Sequence, residues 1–128
     1  MTIIEQLNEE VKCTLAPSKI HGVGVFALRD IKKGEQMYCF GQERQWIHIP
    51  YGQFHKLRPE LRDLIKGRWP TIEKSAPFLH PNSEVWLISF MNHGDKPNYD
   101  KYNDCATQDI KKGEEITEQY GEYAYKWK

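Results

Sequence analysis

Phe90-Met91-Asn92-His93-Gly94-Asp95-Lys96-Pro97-Asn98 and Gly113-Glu114-Glu115-Ile116-Thr117-Glu118-Gln119-Tyr120-Gly121 are the two stretches whose reading decides the fold. The first sets an Asn-His pair at a fixed distance before Pro-Asn. The second is a strand-like run of acidic and β-branched residues that ends in Tyr-Gly. A third piece lies near the start, His21-Gly22-Val23-Gly24-Val25-Phe26-Ala27, where two glycines open an apolar strand. Glycines at that spacing permit close backbone approach or positive φ, and free N–H groups there suit an anionic group. No third glycine and no helix follow, so this is not a dinucleotide fingerprint.

Working outward, the 128 residues read as one domain with a modest core. Lys and Arg number 18, as do Asp and Glu, so the formal net charge is zero. That balance offers no basic face for nucleic acid or for a membrane. Mean hydropathy is −0.75 and the apolar runs are short, so no membrane span is expected. Met1 to Glu10 does not read as a secretory signal. Cys13, Cys39 and Cys105 are far apart and form no C-x-x-C pair. They read as small buried hydrophobes in a reducing, intracellular compartment, with no metal site.

Asp30-Ile31-Lys32-Lys33-Gly34-Glu35 recurs identically at Asp109 to Glu114, which reads as two related strand–turn–strand corners. Strands are expected at Val11–Ala16, Val23–Leu28, Glu35–Phe40, Ala106–Ile110 and Glu115–Gln119. A short helix is expected at 2–10, with Ile3, Leu7 and Val11 on one face. A second is expected from Pro59 to Lys66, with Leu61, Leu64 and Ile65 facing inward and Gly67 as its stop. Val85–Met91 reads as a buried strand or a short helix, and the rest of 41–81 as irregular. Many short strands with few helices give a mainly β domain.

Taken together and in this order, the three motifs resemble those of SET-domain protein-lysine methyltransferases, over about residues 11–127. The resemblance implies a single SET domain across 1–128, without cysteine-rich flanking segments and with a variable insert at about 42–81. It implies several small curved sheets, β-clip-like, with short helices and a knot-like crossing near Tyr120. The implied activity is transfer of a methyl group from S-adenosyl-L-methionine to a lysine side chain of a protein. Such a reaction needs a neutral amine, and a free lysine at pH 7 is neutral only about one time in two thousand. It also needs alignment with the departing sulfur in a pocket that excludes water.

The same resemblance gives the residues their roles. Tyr120 is the catalytic hydroxyl between cofactor sulfur and target amine. His21, Gly22, Val23, Gly24, Asn92 and His93 hold the cofactor, with Asn92 on its amino group and the His93 backbone on the adenine edge. Trp127 stacks on adenine. Tyr99, Tyr123 and Tyr125 line the substrate channel. The family's second tyrosine falls on Phe40, with Tyr38 two residues earlier on the same strand face, so either residue is the channel candidate. The usual Ser-Cys after Asn-His is Gly94-Asp95 here. These departures leave a second reading, a catalytically inactive SET-like module that binds a peptide or protein partner. The expected partner is a lysine-bearing histone, histone-like or ribosomal protein bound as an added strand. Glu114, Glu115, Glu118 and Glu122 would form an acidic groove for it. No direct contact with nucleic acid or membrane is expected. The compartment would be cytoplasmic, or nuclear in a eukaryotic host.

Overall fold

The computed structural model describes residues 2–40, 46–50, 52–69 and 78–120. The elements in order are helix α1 (Ile3–Glu10), strands β1 (Cys13–Pro17), β2 (Val23–Ala27) and β3 (Trp46–Ile47), and helix α2 (Pro59–Arg68). There follow β4 (Phe78–Leu79), the one-turn helix α3 (Pro81–Glu84), a 3-10 turn at Leu87–Phe90, and strands β5 (Asn92–His93), β6 (Tyr99–Asp100), β7 (Cys105–Ala106) and β8 (Glu115–Glu118). The strands form three small sheets, as expected for a mainly β SET-domain fold. The largest runs β1-β2-β8-β5, and two hairpins pair β3 with β4 and β6 with β7.

α1 starts where the sequence carries Thr-x-x-Glu. The Thr2 hydroxyl accepts from the Glu5 amide at 3.2 Å, and the Glu5 carboxylate accepts from the Thr2 amide at 3.1 Å. This reciprocal cap satisfies two amides that the first turn would otherwise leave without partners. Its buried stripe is Ile4, Leu7 and Val11, with Ile3 at the margin. α1 and α2 cover a second core built on Leu7, Leu61, Ile65 and Phe78. The first core lies under the main sheet, around Val25, Ile31, Met91, Ile110 and Ile116.

The repeated hexapeptides are two halves of one reciprocal contact. Ile31 and Ile110 exchange both backbone hydrogen bonds at 2.7 Å. Asp109 accepts from the Lys33 amide at 2.9 Å, and Asp30 accepts from the Lys112 amide at 2.8 Å. Each corner turns at its glycine, φ +85° at Gly34 and +87° at Gly113. Each glutamate caps its own turn, Glu35 on the Lys32 amide and Glu114 on the Lys111 amide. The corners then launch equivalent ladders, with the Gly34 amide on the Ala106 carbonyl and the Gly113 amide on the Ala27 carbonyl. The local two-fold relation explains why the same six residues serve twice.

Four expectations are corrected. Glu35–Phe40 is not a strand. Only Gln36 bridges, to Cys105, because Asp104 then captures the Tyr38 and Cys39 amides at 2.9 and 3.0 Å and Tyr38 turns to φ +57°. Tyr38 and Phe40 therefore share no strand face. α2 runs through Gly67 to Arg68, since Trp69 still bonds back to Ile65 at 2.7 Å and packs on Phe78, ring centroids 5.2 Å apart. Outside α2, the described part of 41–81 is less irregular than expected, because β3 and β4 pair and bring Ile47 and Phe78 into the second core. The expected strand Ala106–Ile110 shrinks to β7 plus the Ile110 bridge, as Thr107 leaves to bond Asn98. Of the cysteines, Cys13 and Cys39 are buried and Cys105 only half so.

Lys12 is buried and pairs with Glu35 at 2.7 Å. Burial pushes the Glu35 carboxyl up, but hydrogen bonds from Lys12 and the Lys32 amide outweigh it, and the net shift is below the ordinary 4.5. A depressed carboxyl stabilises the fold above its unfolded value and ceases to do so as pH falls through the folded one. Thermal melts are expected to show wild type losing stability below pH 4.5, with a shallower acid slope in Glu35→Gln. Asp30→Ala and Asp109→Ala should each cost about 1 kcal/mol in urea unfolding, the usual worth of one such side-chain bond to a backbone amide.

Candidate active site

β8 sits between β2, antiparallel with Val25 opposite Ile116, and β5, parallel with Asn92 opposite Thr117 and His93 opposite Glu118. Three motifs distant in sequence therefore meet on one sheet. Asn92 is buried, and its amide nitrogen lies 3.0 Å from the His21 carbonyl, 3.3 Å from that of Val23 and 2.9 Å from a Glu115 carboxylate oxygen. Two hydrogens share three acceptors, which fixes the amide with its nitrogen toward the Gly-x-Gly loop and its oxygen turned away. Glu115 is held in turn by the Ser18 hydroxyl at 2.7 and 2.9 Å, and Ser18 accepts from the Ile20 amide at 2.9 Å. Gly24 makes room for this network. A Cβ there would stand 2.4 Å from the Glu115 carboxylate and 3.1 Å from the Asn92 amide nitrogen. Gly22 closes the loop at φ +46°.

The Asn of Pro97-Asn98 staples the two long motifs together. Its buried side chain donates to the Glu115 carbonyl at 3.0 Å and accepts from the Thr117 amide at 2.8 Å. One amide thereby replaces a missing neighbour strand along β8. Gly94 has its reason opposite, since a Cβ would come 2.4 Å from the Thr117 hydroxyl. The departure from serine at this position follows from packing against Thr117.

Tyr120 folds back over the Asn-His segment. Its amide donates to His93 Nδ1 at 3.3 Å, its hydroxyl donates to the Met91 carbonyl, and its ring meets that of His93 edge-on at 5.5 Å. Tyr120 as a whole is 39% exposed, while its hydroxyl is held on the carbonyl of buried Met91. His93 Nε2 is 3.9 Å from Asp95. Among the described residues, no group of three His, Cys, Asp or Glu is placed to hold a metal ion.

The other expected residues are placed differently. Tyr99 is buried in the first core with its hydroxyl donating to Asp104 at 2.7 Å. Burial first, then Asp104, pushes its pKa far above the usual tyrosine value. Tyr38 has the Lys12 ammonium 5.3 Å above its ring. Its hydroxyl is raised by burial and by Glu9 and Glu10 of α1, so Tyr38 belongs with the Lys12–Glu35 pair and not with Tyr120. Phe40 is exposed. Tyr123, Tyr125, Trp127 and Glu122 lie outside the described residues. The three described acids of the expected groove are placed separately, with Glu114 exposed. Glu115 faces the glycine loop, Glu114 caps its turn, and Glu118 is buried. Sequence reasoning missed Ser18, Asn98 and Asp104 as organising residues. Only the Pro-Asn pairing of Asn98 carried a signal.

The SET-domain family model matches residues 22–121, and the chain belongs to that family. No curated protein matches it. Among solved structures, one similar chain is a Plasmodium falciparum protein assigned as a histone methyltransferase, PFL0690c. It is 25% identical with a TM-score of 0.42, over 86% of this chain and 93% of that one. Another is a humanized mutant of the Chaetomium thermophilum Polycomb Repressive Complex 2 bound to the inhibitor GSK126. It is 22% identical with a TM-score of 0.45, over 88% of this chain but only 15% of that one.

Replacing Asn98 by alanine would leave the Glu115 carbonyl and the Thr117 amide without partners beside a buried strand. At about 1–3 kcal/mol for each buried group left unpaired, Asn98→Ala is expected to lower the urea midpoint far more than Asn103→Ala, an exposed residue whose side chain bonds to Asp100.

Proposed function

We propose that this SET domain is a protein-lysine methyltransferase that uses S-adenosyl-L-methionine. The observation that carries the reading is the convergence of the Asn92 amide, the Gly22–Gly24 backbone and the Tyr120 hydroxyl around β8. The donor set fits an amino-acid cofactor end. The carbonyls of His21 and Val23, which the Asn92 amide nitrogen holds in place, are acceptors for an ammonium, and the Glu115 carboxylate adds negative charge beside them. When bound, the cofactor supplies an electrophilic methyl carbon on a positively charged sulfur.

The chain's own residues then supply position and polarity. Asn92 and the glycine loop hold the amino-acid end. Tyr120 presents an oxygen where amine and sulfur must line up, and weak C–H···O contacts orient the methyl group. The segment 90–93 fixes that hydroxyl, since the Met91 carbonyl accepts from it. The substrate is a lysine-bearing protein of the histone, histone-like or ribosomal kind, acted on within the cell. The family's channel tyrosine is not replaced at Tyr38, which turns toward α1, and this favours keeping the non-catalytic, partner-binding module as a second reading.

The test is radiolabelled methyl transfer from S-adenosylmethionine to core histones and to cell lysate, with Tyr120→Phe alongside. Wild type should label a protein band, and the substitution should cut the label by about 10²-fold or more, the scale on which a positioned acid–base group contributes. Cofactor binding without label on any acceptor would favour the non-catalytic module. Absence of both binding and label would overturn the reading.

A further inference from the structure

Glu118 is the buried acid that the methyl-transfer reading leaves unused. It ends β8, two residues before Tyr120. Its backbone lies in register with His93, with its carbonyl accepting from the Gly94 amide at 3.1 Å. Alternation along the strand sets Glu118 on the face of Ile116, opposite to Thr117, which packs against Gly94. The residue is only 8% exposed. Yet its Oε2 is buried with no hydrogen-bond partner, and Oε1 reaches the Lys101 ammonium only at 3.8 Å, beyond hydrogen-bond length.

A buried carboxylate with its acceptor capacity this empty is costly and calls for an explanation. The surrounding groups are Lys101 after β6, His93 on β5 with Asp95 against it, and Tyr99 on β6. None of them fills Oε2. The missing partner must be a donor, and a cation answers the charge as well as the lone pairs. Two of its neighbours reach solvent, Tyr120 two residues on at 39% exposed and the Lys101 side chain at 29%.

We infer that the Glu118 carboxylate receives the ammonium of the target lysine and takes its proton, delivering a neutral amine beside Tyr120. The inference rests on the methyltransferase reading and extends it to the proton. In the step, one N–H bond of the lysine ammonium breaks and one O–H bond forms on Oε2. The nitrogen keeps the electron pair and is left as the neutral amine that a bound methyl donor would require. Glu118 afterwards releases its proton to water. Burial raises the Glu118 pKa above the ordinary 4.5, against the pull of Lys101 and His93, and this strengthens it as a base at neutral pH. The sign for stability is the reverse of that for Glu35. A raised carboxyl costs stability as pH rises through its folded value. Glu118→Gln is therefore expected to melt no lower than wild type at pH 7, and that melt separates a loss of rate from a loss of fold.

The experiment is a carbon NMR titration of the Glu118 carboxyl in the full chain saturated with S-adenosylhomocysteine, its signal assigned by its absence in Glu118→Gln. n-Butylammonium serves as a truncated lysine and n-butanol as the uncharged control. The Glu118 pKa is expected to fall by about one unit with the ammonium, as for a carboxylate given a close cation, and to stay unchanged with the alcohol. A pKa that ignores butylammonium overturns the inference. On core histones, Glu118→Gln should lower kcat about 10²- to 10³-fold at pH 7, with KM for the cofactor unchanged and the deficit shrinking as pH rises. An unchanged rate and pH profile would likewise overturn it. If S-adenosylhomocysteine does not bind, the methyltransferase reading fails on its own, and a butylammonium response in that protein would still establish the ammonium site.

Discussion

Four residues, Glu115–Glu118, are held at both edges and on both faces. β8 meets β2 along its first half and β5 along its second, and the side chain of Asn98 takes the Glu115 carbonyl and the Thr117 amide. One face sends Ile116 into the core, while Thr117 closes on Gly94. The strand is too short to be stable by pairing alone, since so few ladder bonds offset little chain entropy. It holds because three separate parts of the chain each need it to satisfy their own backbone groups. The geometry near Tyr120 is inherited from that mutual need. Asn92, the glycine loop and the tyrosine each touch β8 or its immediate neighbour, and a shift of any one strand would displace all three.

What was legible in the sequence was whatever chemistry forces onto particular residue types at fixed spacing. Asn-His, Pro-Asn and Tyr-Gly could be read directly, and so could the repeated corner, because Lys-Lys-Gly-Glu can do little but turn. α1 and α2 followed from apolar periodicity and from Pro59. What stayed hidden acts through side chain to backbone bonds over long separations. Asp104 takes the amides of Tyr38 and Cys39 from 66 and 65 residues away. No local pattern announces that, yet it removes the strand expected at 35–40 and sends Tyr38 toward α1. Ser18 is similar, an ordinary turn serine until Glu115 reaches it from 97 residues on. Glu118 was read as one of a run of surface acids. Only the strand's alternation and its two occupied edges turn it inward.

The departures from the family pattern sort into two kinds on physical grounds. Gly94 is explained by its neighbour, because Thr117 leaves no room for a Cβ. That substitution is structural bookkeeping and says little about activity. The change at Tyr38 and Phe40 is of the other kind. It follows from a rerouted backbone, which sets Tyr38 beside Lys12. The buried carboxylate of Glu118 is the polar group that the chain does hold two residues away from Tyr120.

The reciprocal corners bear on how the chain is made. Asp30 and Asp109 cap each other's turns across 76 and 82 residues. The first corner leaves the ribosome with its strand bridge and one cap unanswerable until the second arrives. The main sheet has the same property, since β2 lacks its inner neighbour until β8 is synthesised. A nascent chain can close the β1–β2 hairpin and α1 early. It cannot close the first core. Folding is thus weighted toward distant contacts and completed late, when the last strand slots between two partners already waiting. A fragment cut short of residue 109 would lose the strand between β2 and β5 and the second half of the corner, and it would remain open and prone to aggregate.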